Sequence, residues 1–471
     1  MTITPIRALP TTAPRTPDRR TRTGWIASFV VGVIVAATYI VYAAWQWSQF
    51  TVKSWDLSIF AQLLDNYARL QPPIVNIKGD GYNLLGDHFH PLLALIAPVY
   101  AVAPHAFTLL VVQAVCFAVA AAVLTRTATD SLATVAGGIL LGLAFAFSWG
   151  LQYAAEAQFH EIALAIPLIT LSLSALLERR DLATVLWAAP LVFVKEDLGL
   201  TVAIIGLLVA YRSRKPLGLW LTIWGIGWFA IAVFIVLPIL NPQGSWAYAT
   251  NANPLTLLAD PAGLFHPSKG LTLTLILVIS GGLVLRSPIA LVLLPTLGWR
   301  FLSSNHGYWG PSWHYSAILM PIVFVALLDG INRGPATRWA WVRSYSRHGA
   351  AIAVTAATLL LPTLPLWSLL TRSAWEPADR AEAATTILDT IPAGSSVETD
   401  IGLMSYLVDD HDVYWLGNTN PTPDCILIDR IAGGTPNEWG TALEVAARLH
   451  PGVTYHVIAK QSGYELACHE L

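Results

Sequence analysis

The fold class predicted is an all-α polytopic membrane protein of about eleven transmembrane helices with a small C-terminal α/β extracytoplasmic domain. Three observations predict it. The 471-residue chain is 55% hydrophobic and only 12% charged, against about 25% charged in soluble proteins. Its apolar runs recur at close to the ~20 residues that cross a bilayer core. The polar junctions between them alternate, one set basic and the next aromatic and acidic. Nineteen tryptophans suit a chain with many lipid–water boundaries. The net charge of −2 says little in such a chain, where the location of charge matters more than its sum, and nothing suggests nucleic-acid binding.

Residues 1–24 are polar, basic and rich in Pro and Thr, and read as a disordered cytoplasmic tail. The apolar run that follows is longer than a signal peptide's core and shows no small-residue cleavage site, so it reads as a retained first span. A membrane domain then occupies 25–372. Its expected spans are 25–45, 106–125, 131–149, 161–177, 182–194, 198–211, 217–239, 271–285, 288–302, 314–330 and 349–370, with a first external loop at 46–105. The junctions "TRTATD", "ERRD", "YRSRKP", "LRSP" and "NRGPATRWAWVRSYSRHG" are basic. The positive-inside rule places them in the cytoplasm, with the N-terminus inside and the C-terminal domain outside a plasma membrane.

The stretch "WAAPLVFVKEDLGLTVAIIGLLVAY" sets Lys195, Glu196 and Asp197 between two apolar arms. Each arm is about 13 residues, too short to span alone at 1.5 Å per residue. The charged turn is therefore expected in a water-accessible cavity below the outer surface, where it avoids roughly 2.5–3.5 kcal/mol of burial in hydrocarbon. A salt-bridged loop at the interface is the plainer reading.

Acids and histidines gather in the external junctions. In "SWDLSIFAQLLDNYA", Trp55, Ile59, Leu63 and Tyr67 recur at helical spacing, which predicts a short amphipathic helix along the interface. Asp56 begins it and is also placed to cap it. "NLLGDHFHPLL" brings Asp87, His88 and His90 together. In "AEAQFHEIAL", Glu156 and His160 share one helical face beside Glu161. "GWRFLSSNHGYWGPSWHYSAILMP" carries Arg300, His306, His314 and Tyr315 among other aromatics, a mixture suited to a sugar or a lipid headgroup, although an interfacial aromatic belt also explains the rings. His88, His160 and Glu161 are the candidates for a divalent metal; no cofactor is required by the sequence. No acid falls mid-span, where a proton-coupled transporter would carry one, so the distribution favours an enzyme.

From residue 373 the composition changes. "DRAEAATTILDTI" and "NEWGTALEVAARLH" read as helices, and "SSVETD", "DVYWLG", "CILIDR" and "TYHVIAK" as strands, of an α/β domain at 373–471. Asp400, Asp409, Asp410 and Asp412 form a solvated acidic edge or line a cation or sugar site. Cys116 reads as packing, whereas Cys425 and Cys468 are candidates for a disulfide if this region is exported.

The motifs "DLSIFAQLL", "GDHFHPLLALIAPVY", "FHEIALAIPL", "VKEDLGL" and "HYSAILMP", with the tail from "IPAGSSVETD", resemble the membrane family called domain of unknown function 2079, over most of residues 50–430. That family is similar in layout to the GT-C glycosyltransferases. The resemblance implies transfer of a sugar from a polyprenyl-phosphate donor in the membrane lipid to a glycan or lipid acceptor of the cell envelope. The GT-C first-loop acid would correspond to Asp56, which stands alone where some members carry a doubled acidic motif. On this reading Asp56 is the base, with Asp87, His88 and Glu161 as further catalytic candidates. Lys195 and Arg300 take the phosphate, while Glu196, Asp197, His160, His306, His314 and Tyr315 serve substrate binding. The alternatives are a flippase or transporter of lipid-linked saccharide and a non-catalytic assembly factor.

Overall fold

A helix rises 1.5 Å per residue, so about 20 residues cross the hydrocarbon core. In the computed structural model, which describes residues 19–51, 54–246, 248, 263, 265–432 and 440–469, four helices are long and apolar enough: Arg22–Ser48, Ala106–Leu132, Pro216–Leu240 and His314–Asn332. Val135–Ala146 and Trp149–Glu156, bent by 40°, make a fifth if the pair is one span. The count of eleven is thus not met on length and composition among the described residues. The other six expected segments are apolar helices of 10–17 residues. Prolines contribute to this, since Pro190 and Pro288 each open a 3₁₀ segment rather than a full α-helix. Most of the N-terminal tail lies outside the described residues, and the first helix already begins at Arg19.

The core centres on Leu319–Asn332, whose residues from Leu319 to Gly330 are all buried. Helix Arg19–Ser48 is tied into the bundle by Tyr39, whose hydroxyl donates to the Ala146 carbonyl at 2.6 Å. Helices Leu198–Ser213 and Pro216–Ile231 approach backbone to backbone: a Cβ on Gly199 would lie 2.6 Å from the Gly225 carbonyl oxygen, and one on Gly206 2.7 Å from that of Gly218. Small residues at a helix crossing allow this closeness.

The C-terminal region forms a five-stranded sheet of β1 (Ser396–Thr399), β2 (Asp412–Trp415), β3 (Cys425–Asp429), β4 (Tyr455–Gln461) and β5 (Tyr464–His469), ordered β2-β1-β3-β5-β4. The first three are parallel, while β5 runs antiparallel to both β3 and β4. Cys425 and Cys468 face each other across β3 and β5 and are joined by a disulfide.

Helix Asp56–Ala68 forms where its amphipathic pattern places it, and protein packs against it on more than one side. Seven of its 13 residues are buried, because the sheet covers the face that the bundle leaves. Ser58 and Ser405 share a hydrogen bond of 2.8 Å, and Gln62 donates to the Val413 carbonyl at 3.2 Å. Tyr406 donates to the Trp47 carbonyl at 2.9 Å, and Trp55 meets Trp415 edge-on at 4.6 Å. Asp409 accepts from the Ala106 N–H at 2.9 Å, at the start of helix Ala106–Leu132, a favourable place for a carboxylate.

Candidate active site

Bundle and first loop enclose a cavity of about 780 Å³, within the usual range for small-molecule sites. Segments far apart in the chain supply its wall. Asp56 is the first residue of its helix, and Asp87, His88 and His90 follow from the coiled part of the same loop. His160 and Glu161 arrive through a tight reversal: helix Trp149–Glu156 ends, Gln158 takes a left-handed φ of 69°, and a 3₁₀ turn starts at Glu161. Lys195, Glu196 and Asp197 form the turn before helix Leu198–Ser213. Trp313 has φ 66° and ψ −178°, a region suited to glycine that costs about 1–3 kcal/mol for other residues. That backbone turn presents Trp313, His314 and Tyr315 to the cavity.

The charged groups meet in pairs. His160 Nε2 lies 3.2 Å from Asp56 Oδ2, within ion-pair reach but without hydrogen-bond alignment, and Ser54 Oγ donates to the same oxygen at 2.5 Å. The His160 ring stacks on that of His314 at 3.5 Å between centroids. Lys195 Nζ donates to Glu161 Oε1 at 2.7 Å. Glu196 bridges two groups, with His88 Nδ1 at 2.7 Å and the Phe89 N–H at 3.0 Å. Lys78 Nζ lies 3.2 Å from Asp87, and Tyr248 stacks on His88 at 4.5 Å.

These surroundings set the protonation states. Burial works against charge on Asp56, yet His160 and Ser54 outweigh it and hold the carboxyl well below its usual range. For His88, burial and Lys195 act downward, but Glu196 prevails and raises it. Burial pushes Asp197 up to about 6 and His90 down to about 4. Several wall atoms have no hydrogen-bond partner: Asp197 Oδ1, the Nδ1 atoms of His90 and His314, and the indole N–H groups of Trp246 and Trp299.

Asp56, Asp87, His88, His160, Glu161, Lys195, Glu196, Asp197, His314 and Tyr315 therefore share one wall. Two other candidates stand apart. Arg300 is fully buried and donates to the carbonyls of Tyr308, Gly310 and Tyr315 at 2.7, 2.7 and 3.2 Å. Its guanidinium holds the aromatic loop, and Arg300 is not among the residues that line the cavity. His306 is exposed and stacks on Trp309 at 4.1 Å, outside the lining. Among the described residues no three His, Cys, Asp or Glu side chains are grouped to hold a metal ion. His88, His160 and Glu161 face Glu196, Asp56 and Lys195 respectively.

Sequence reasoning missed Lys78, Trp246 and Tyr248. Lys78 had a usable signal, as a cation between two acids in the loop that carries Asp56 and Asp87. Tyr248 had none, because only folding carries it to His88.

The family described as "Predicted membrane protein (DUF2079)" matches residues 47–466, and the chain belongs to it. No curated protein matches the chain.

Proposed function

From membership of this membrane-protein family and from the cavity, we propose that the protein is a GT-C-type inverting glycosyltransferase. It moves a sugar from a polyprenyl-phosphate donor to a cell-envelope acceptor on the extracytoplasmic side. The observation that carries this reading is the convergence, in one aromatic-walled cavity, of a carboxylate held ionised, Asp56, and a lysine, Lys195.

Asp56 takes the proton of the acceptor hydroxyl as its oxygen attacks the anomeric carbon. The new C–O bond forms on the face opposite the donor phosphate. The old bond breaks with its electron pair leaving on the phosphate oxygen, whose charge Lys195 offsets. Ser54 orients Asp56 by donating to its Oδ2, and Glu161 holds Lys195 in place. The donor's chain stays in lipid beside Leu294, a wall residue that is 56% exposed. The shorter apolar helices act as part-spans in an eleven-segment bundle, with the N-terminus in the cytoplasm and the sheet outside. The Cys425–Cys468 disulfide supports that side, because cytosolic thiols are kept reduced.

The test is product analysis with the full chain in proteoliposomes and radiolabelled polyprenyl-phosphate sugars. Label transferred covalently by the native protein, and not by Asp56→Asn, is the expected result. Leaflet exchange without product would replace the enzyme with a flippase.

A further inference from the structure

The charges lining the cavity do not balance. Five carboxylates face two lysines there, and both lysines already hold an acid, Lys78 at Asp87 and Lys195 at Glu161. Two more acids have histidine partners. Asp197 has no such contact: Lys195 acts on it only through space, its buried Oδ1 accepts no hydrogen bond, and a buried acceptor left in this state is costly unless a donor arrives. A second observation also points to a ligand. His90 and His314 are 2% and 7% exposed, both line the cavity, and the Nδ1 of each has no partner. A polyprenyl phosphate would add negative charge to a wall already in acid excess. A cation beside Asp197 would offset it, and the faces of Tyr248 and Trp299 in the same wall favour cations too.

We infer that the cavity recognises a protonated primary amine through Asp197, carried either by the transferred sugar or by a headgroup. This deepens the transferase reading and rests on it.

The experiment is calorimetric titration of the purified full chain in nanodiscs at pH 7 with glucosamine, glucose and ethanolamine. Glucosamine and glucose differ only in the amine. Glucosamine should bind about tenfold or more tightly than glucose, in line with one charge-assisted hydrogen bond. Asp197→Asn should bring the ratio close to one. Displacement of glucosamine by ethanolamine supports the inference and allows a headgroup as the source; failure to displace supports it and assigns the amine to the sugar. Equal responses to glucosamine and glucose, including none to either, overturn it without needing the variant. Label transfer is scored on the same preparation. Transfer without amine preference sinks this inference alone, whereas amine preference without transfer sinks the transferase reading.

Discussion

In the C-terminal sheet, Glu398 is fully buried and both its oxygens are bonded, one to His450 Nε2 at 2.6 Å and the other to Asn420. Asp429 receives Arg380 at 2.7 and 3.1 Å, and Asp400 accepts the N–H groups of Gly402 and Asp429. In the cavity, Glu161 and Glu196 are buried as deeply, yet they stand beside Asp197, whose oxygen is left open, and against a hollow of about 780 Å³. The two regions handle the same chemical group differently. For these sheet acids the chain supplies the partners itself, so they hold structure. In the cavity wall polar atoms are left without partners. Asp409 belongs with the sheet acids, since it caps a bundle helix, while Asp410 and Asp412 are exposed.

Substitutions can break this contrast. Asp56→Asn should lower transfer by about 10²–10⁴-fold, the usual worth of a general base, with unchanged thermal unfolding; transfer at the native rate would remove Asp56 from the chemistry. Glu398→Ala leaves the buried His450 without its partner and should cost about 1–3 kcal/mol of stability, read by denaturant unfolding. Transfer per folded molecule should stay at the native value. If it fell like the Asp56 variant, the division between the regions would fail.

A pH series sharpens the contrast further. Burial raises Asp197 in the fold to about 6 from its ordinary 3.8, so between those values the folded chain keeps a proton that the unfolded chain has lost. The contribution to stability is intact below about pH 4 and falls as pH rises to about 6, by something of order 1–3 kcal/mol. Asp400 is pushed up to about 7 by burial and acts with the same sign, so the native-minus-Asp197→Asn difference isolates the cavity. A flat difference across pH 4–7 would mean that Asp197 is solvated. The smallest effect is expected at the seam. Trp415→Leu removes an aromatic contact of Trp55 worth about 0.5–1.5 kcal/mol, which should raise KM about two- to tenfold and leave kcat unchanged.

Much of the chain is legible from its residues, for reasons that are local. The helices "DRAEAATTILDTI" and "NEWGTALEVAARLH" appear as Ala381–Thr390 and Ala442–Leu449, and four of the five strands fall where β-branched and aromatic residues cluster. The strand Tyr464–His469 was missed, although Ser462 and Gly463, both at positive φ, form the short hairpin turn leading into it. The short helix Ile401–Leu407 was also missed. At the site, acids and histidines in external-type junctions were visible because polar residues stand out against apolar runs. What was not visible is the destination of each polar atom. Arg300 reads as a phosphate ligand from its position, but three carbonyls of its own loop occupy its guanidinium. That outcome depends on a backbone path no residue pattern specifies.

The paired glycines at 199 with 225 and 206 with 218 leave no cushion of side chains between two helices. Gly199 lies two residues beyond Asp197, and the opposing helix continues through Phe229, part of the cavity wall, into a bilayer-length rod ending at Leu240. With backbone resting on backbone, a displacement on one side is handed across rather than absorbed by rotamer changes. A side chain larger than hydrogen at any of these four positions would therefore force the helices apart and shift the turn that carries Asp197.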